Sequence, residues 1–291
     1  MTGAVGRSVV NFCVMKTLLV AFDFSKNSLH ALEYALVYAQ KLQASLHLVW
    51  VDNSGVGESM VDTIAGDVRI EAKAYLDSTV QKYRDQTPEG KIHVALKRGK
   101  VYQEVAKTAH SIGADIIFAG THGVSGYEQY WIGSNAYRIV AQAPCPIITI
   151  RSNYEIKPDI QNILLPLDST LETKEKLPMV AELARAFGAT IHLLEVYNTS
   201  ISVIRKRIAK FSEEASKCLT DKQVSFVNEK IDADNVAASI LRYMDEHQVD
   251  LISIMTDQGT TSANKFLGAY SQQLINNSVI PVLSVRSKES H

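Results

Sequence analysis

Two rhythms of apolar residues alternate along this chain. Lys16 to Asp23 reads KTLLVAFD, a short apolar run closed by a carboxylate. Ser25 then stands where a helix cap belongs, and Leu29, Leu32, Leu36 and Ala39 recur at helical spacing. Ala44 to Val51 is a second apolar run, Val61 to Arg84 a charged amphipathic helix, and Lys91 to Leu96 alternates like a strand near a sheet edge. Val101 to Ile112 is a third helix, Asp115 to Ala119 a fourth strand, Ser134 to Ala141 the start of a fourth helix and Pro146 to Ile150 a fifth strand. Residues 52–60, with two glycines, form a loop placed to cover a ligand at a strand's carboxyl end.

The same grammar returns after a polar, proline-bearing linker, 151–159. Asp23, His47 and Val51 meet Asp168, His192 and Val196 at an offset of 145 residues. Further on, Asp115, Gly133 and Pro146 meet Asp250, Gly268 and Pro281 at an offset of 135, so the second copy is ten residues shorter. The pattern predicts a duplicated α/β domain, with units at 15–151 and 160–287. Alternating β and α elements imply two tandem Rossmann-like domains, each a five-stranded parallel sheet with right-handed crossovers and helices on both faces. Strand order 3-2-1-4-5 would set strands one and four side by side where the winding reverses, the place such folds hold ligands.

Length and composition narrow the function. A chain of 291 residues can bury two cores, and 46% hydrophobic with 21% charged residues describes a globular protein. The apolar runs are too short and interrupted to span a bilayer. Thirty Lys and Arg against 31 Asp and Glu leave no basic footprint for nucleic acid or acidic lipid. Cys13, Cys145 and Cys218 are odd in number and lack metal-ligand spacing, which fits packing residues in a reducing compartment. No metal cluster is expected. Asn11 interrupts the apolar stretch of the first fifteen residues, and no small-residue cleavage site follows it, so no secretory signal is read there. Met15 is a candidate natural start, on which view residues 1–14 form a disordered extension.

Candidate chemistry concentrates between Ile116 and Asn135, IIFAGTHGVSGYEQYWIGSN. Gly120, Gly123 and Gly133 follow Gly-x-x-Gly-x9-Gly-Ser, closed by Ser134. Glycine lets backbone approach a ligand or take φ > 0, and a helix opening at Gly133-Ser134 presents free N–H groups to an anion. The plainer alternative is a glycine-rich turn with a serine cap. Asp23 is either a ligand residue or the acidic member of a strand-to-helix turn, and the Trp50 side chain reads as core. His122 has no nucleophile or carboxylate beside it in sequence and is not read as catalytic.

This loop, the AFDFS strand end, GADIIFAGTHG and APCPIITI together resemble the universal stress protein family over nearly the whole chain, in two copies. The resemblance implies ATP held at the carboxyl ends of strands one, two and four. Asp23 would meet the adenosine portion and the backbone of Trp50 the adenine. Gly120, Gly123, Gly133, Ser134 and Asn135 would surround the phosphates, with Ser134 in reach of a phosphate oxygen or Mg²⁺. The second copy departs from the pattern: Met255 and Gln258 replace the first two glycines, Ala269 follows Gly268, and Pro178 falls inside its first helix. Left-handed backbone at Met255 and Gln258 would be costly, so one nucleotide per chain is expected.

The expected function is a cytoplasmic ATP-binding stress-response module, regulatory or protective, with hydrolysis slow at most because no Gly-Lys-Ser/Thr opens the helix. The alternatives are a phosphoryl-transfer or nucleotide-hydrolysing enzyme and a ligand-free interaction scaffold. The family resemblance also suggests that the halves pack as an intrachain pseudo-dimer through their fifth strands, Pro146 to Ile150 and Pro281 to Val285, with a homodimer beyond that. An open apolar edge would invite aggregation.

Overall fold

In the computed structural model, described over residues 15–53, 62–88, 90–121, 132–256 and 269–287, the alternation is realised as ten strands and eight helices among the described residues. The first half runs β1 (Thr17–Ala21), α1 (Lys26–Leu42), β2 (Ser45–Asp52), α2 (Asp62–Tyr83), β3 (Ile92–Arg98), α3 (Val101–Ile112), β4 (Ile116–Gly120), α4 (Ser134–Gln142) and β5 (Ile147–Ile150). The second runs β6 (Asn162–Leu167), α5 (Leu177–Phe187), β7 (Thr190–Tyr197), α6 (Ser202–Asp221), β8 (Phe226–Asp232), α7 (Val236–Glu246), β9 (Leu251–Met255), α8 (Ala269–Asn277) and β10 (Val282–Val285). No helix among the described residues is long and apolar enough to cross a membrane.

Each half is a five-stranded parallel sheet in the order 3-2-1-4-5, the fold class expected from the apolar pattern. β1 and β4 are hydrogen-bonded neighbours, with Leu18 opposite Ile116 and Val20 opposite Phe118. Their carboxyl ends therefore share one rim, where Asp23 and Thr121 emerge. β3 and β8 lie at the two outer edges, where β3 is half-buried along most of its length and β8 is mostly exposed. β5 and β10 pair antiparallel, Thr149 with Val282, Ile148 with Leu283 and Ile147 with Ser284, so the two sheets continue as one of ten strands.

Alternate residues along each strand feed two apolar layers, one on each face, and both layers run across the two halves. One holds Leu18, Val20, Leu48 and Phe118 with Leu165, Leu193 and Leu283 under α1 and α5. The other holds Leu19, Ile117 and Ile147 with Leu164, Ile252 and Val282 under α3, α4, α7 and α8. Across the join, the Tyr38 ring, packed edge-on against Phe118 of its own half, meets Phe187 edge-on at 5.0 Å, and Lys41 pairs with Asp159 of the linker.

Pro178 leaves its mark at the start of the second half. The alignment puts the α1 start, Lys26, on Leu171, yet α5 begins only at Leu177, with proline in its first turn. Residues 171–176 form a tighter 3-10 turn instead. The helix is delayed, as the proline predicts.

Candidate nucleotide site and its counterpart

The rim of the first half is built by three local devices. First, Thr121 is clamped. Its N–H donates to Ile150 O at 3.0 Å, and its carbonyl accepts from Gly133 N at 2.6 Å, so the residues on either side of the loop form a narrow neck. Second, α4 opens directly from that neck. Gly133 is its N-cap with φ −59° and ψ 149°, no side chain caps the helix, and Ser134 and Asn135 are exposed. The first-turn N–H groups of such a helix lack intrahelical partners and carry its positive end. Third, α1 begins beside β4. Asp23 Oδ1 accepts from Ser25 N at 3.1 Å, Asp23 N donates to Ser28 Oγ at 3.2 Å, and Ser25 Oγ caps the helix through Ser28 N at 3.1 Å.

Gly120 is explained by that third device. A Cβ placed on it would lie 2.7 Å from Asn27 O and 2.8 Å from Asn27 C and Cβ, so the first turn of α1 leaves room only for glycine. Neither Gly120 nor Gly133 takes the left-handed backbone that a glycine loop suggests. Their need for glycine, where one exists, is close approach rather than φ. Gly123 and His122 fall within 122–131, outside the described residues, as does most of the 52–60 loop.

Asp23 is exposed and engaged in the strand-to-helix turn, with its carboxylate organising the helix start. Trp50 is 8% exposed, its strand position opposite Leu96, and its ring belongs to the core as expected. Sequence reasoning missed Phe24. It sits at φ 65°, a conformation that costs a bulky residue about 1–2 kcal/mol. In that pose its ring lies 5.7 Å from Trp50, 5.5 Å from Phe22 and 4.9 Å from Tyr75, making an aromatic wall next to Asp23.

Asn276, at the end of α8, is a second residue the sequence could not reveal. Its Oδ1 accepts from the buried Ile132 N–H at 2.9 Å, one residue before the neck, and its carbonyl accepts from Arg151. Asn276→Ala should lower unfolding free energy by about 1–3 kcal/mol, the cost of a buried donor left unsatisfied. Urea denaturation would read this as a lower midpoint at unchanged slope, and a change under 0.5 kcal/mol would contradict it.

The second half repeats the turn but not the loop. Asp168 Oδ1 accepts from Thr170 N at 2.8 Å and Thr170 Oγ1 at 2.6 Å, and Asp168 N donates to Thr173 Oγ1 at 3.3 Å, reproducing Asp23, Ser25 and Ser28. Met255 ends β9 opposite Val285, with ordinary strand backbone and a buried side chain. The left-handed penalty expected at Met255 does not arise; what Met255 adds at the Gly120 position is bulk. Gln258 and Gly268 lie outside the described residues. A cavity of about 220 Å³ lies beside Asp168, Lys176, Met255 and Tyr270. Cys145, at the start of β5, has its thiol pushed up to about 12 by burial, which suits packing rather than reactivity. Among the described residues no group of three His, Cys, Asp or Glu is gathered to hold a metal ion.

A model of the universal stress protein family matches residues 15–151 and again 159–286. The chain belongs to the universal stress protein family. It carries two tandem domains of that family. The universal stress protein YxiE of Bacillus subtilis is 25% identical over 146 residues, 46% of this chain and 97% of its own. A universal stress protein from Archaeoglobus fulgidus DSM 4304 shares the fold with a TM-score of 0.75 at 17% identity, over 95% of this chain and 98% of its own. A functionally unknown protein from Pseudomonas aeruginosa PAO1 has a TM-score of 0.66 at 15% identity, over 94% and 93% of the two chains. In this universal stress protein the two domains thus share strand order and turn chemistry and differ at the carboxyl end of the fourth strand, Gly120 in one and Met255 in the other.

Proposed function

We propose that the first domain binds ATP and that the chain acts as a cytoplasmic stress-response module, regulatory or protective, rather than as an enzyme. The observation that carries this reading is the uncapped start of α4, held against the ends of β1 and β4 by the Gly133 to Thr121 hydrogen bond. Exposed N–H groups at a helix's positive end suit phosphate. In this reading Asp23 meets the adenosine portion, the Trp50 backbone and Phe24 wall flank adenine, and Gly120, Gly123, Gly133, Ser134 and Asn135 surround the phosphates. Mg²⁺ would enter on the phosphate oxygens, with the Ser134 hydroxyl beside it. The β5 to β10 join is read as an intrachain pseudo-dimer, with association of two chains beyond it.

Binding without turnover is favoured because Ile132 precedes Gly133 and no lysine opens α4. Phosphoryl transfer needs charge stabilisation and an oriented nucleophile, and this helix start supplies the first only through backbone dipoles. Calorimetry on the full chain should give one ATP per chain, and mass spectrometry of the purified protein should find an adenine nucleotide. Two equivalents, or hydrolysis at ~1 s⁻¹ or faster, would overturn the reading.

A further inference from the structure

We propose that the cavity of the second domain binds a small monocarboxylate with a short aliphatic body, its carboxylate received by Lys176. This site is separate from the ATP reading and does not depend on it. Lys176 closes the 3-10 turn that Pro178 imposes. It is only 3% exposed, and among the described residues its Nζ makes one hydrogen bond, 2.7 Å to Pro166 O. An ammonium has three donors, and a buried cation needs an anion. Pro166 and Lys176 both line the cavity, so the cation is delivered to its wall.

The other lining residues define the rest of the ligand. Leu167, Val196, Ile208, Val236 and Met255 give the cavity an apolar side that suits a hydrocarbon body, while Ser169, Thr170 and Asn198 add polar groups to the rest of its lining. Asp168 is the one acid in the lining; it does not come within ion-pair distance of Lys176, and Thr170 already occupies its Oδ1 with two hydrogen bonds. Its charge repels a dianionic phosphate about twice as strongly as a monocarboxylate, which favours the singly charged ligand opposite Lys176. Tyr270, the remaining titratable group, has its hydroxyl pushed far up by burial and stays neutral. With about 30 Å³ for a water, 220 Å³ is the space of about seven waters, room for a short-chain acid. Burial also pulls the Lys176 ammonium down from 10.5 to about 8, with Asp168 opposing the shift. Carboxylate affinity should therefore be full below about 8 and fall as pH rises through it.

Hexanoate, 1-hexanol and hexylamine titrated into the full chain at pH 7 test the proposal by calorimetry. Hexanoate should bind at one site at least tenfold tighter than hexanol, with hexylamine weakest. Lys176→Met should cost hexanoate at least tenfold while leaving hexanol within threefold, and Val236→Phe, which fills the cavity, should abolish both. Should Lys176→Met fail to fold, the wild-type pH series decides: hexanoate affinity should decline between pH 7 and 9.5. No saturable hexanoate binding, equal affinity for hexanol, or a flat pH series would each overturn the proposal.

Discussion

Replacing Ser134 by aspartate should abolish ATP binding at ordinary nucleotide concentrations while leaving the fold as stable as before or slightly more so. Ser134 is exposed at the first position of α4, and Gly133 before it provides no side-chain cap. A carboxylate there complements the helix's positive end and contributes about 0.3–1 kcal/mol to stability. Toward a phosphate the same charge is repulsive. At about 5 Å and an effective dielectric near 20, one like-charge pair costs roughly 3 kcal/mol, or about a hundredfold in affinity. Ser134→Ala removes only a hydroxyl and should weaken binding a few-fold. Calorimetry paired with thermal melts separates the two effects. ATP affinity within threefold of wild type in the aspartate variant would place the nucleotide elsewhere.

Gly120→Ala is expected to destabilise the first domain by about 1–3 kcal/mol, the range for forcing an extra carbon into a packed interior. A glycine in a strand ordinarily gains from alanine, by about 0.5–1 kcal/mol, so the sign itself is diagnostic. The reversal follows from the first turn of α1, whose Asn27 backbone would stand 2.7–2.8 Å from the new Cβ. That turn cannot step aside cheaply, because Ser25 caps it and Asp23 ties its approach. Urea denaturation would read the loss, and equal or greater stability in the variant would show that α1 yields. ATP affinity should fall as well, since the same turn carries Asp23.

Much of the architecture was legible because burial writes itself into the order of residues. Runs such as LLVA in β1 and IIFA in β4 read as strands buried on both faces, and KIHVAL read as an edge strand, which β3 is. The duplication gave the second domain from the first, and Pro178 foretold the late start of α5. The candidate site was legible as a motif but not as a mechanism. Glycine at position 120 invited an argument from backbone freedom, whereas the constraint is a neighbour 93 residues earlier in the chain, Asn27. Phe24 at positive φ had no sequence signature, since nothing in AFDFS marks an aromatic as left-handed. Asn276 acts on Ile132 across 144 residues, and Lys176, at the position of buried Ala31 in the first half, reaches back to the Pro166 carbonyl of β6. Long-range contacts of this kind leave no periodicity to read.

The antiparallel seam between β5 and β10 gives the molecule two poles. Parallel strands within each half point their carboxyl ends one way, so the neck at Gly133 and the cavity at Asp168 open in opposite directions. A partner docked over one mouth has no line of sight to the other. α8 nevertheless touches both: Tyr270 near its start lines the cavity, and Asn276 near its end holds Ile132 at the neck. Six residues of helix separate them, roughly 9 Å at 1.5 Å per residue. The residue that lines the cavity and the residue that latches the opposite neck thus belong to one short helix, and α8 ties the two poles together.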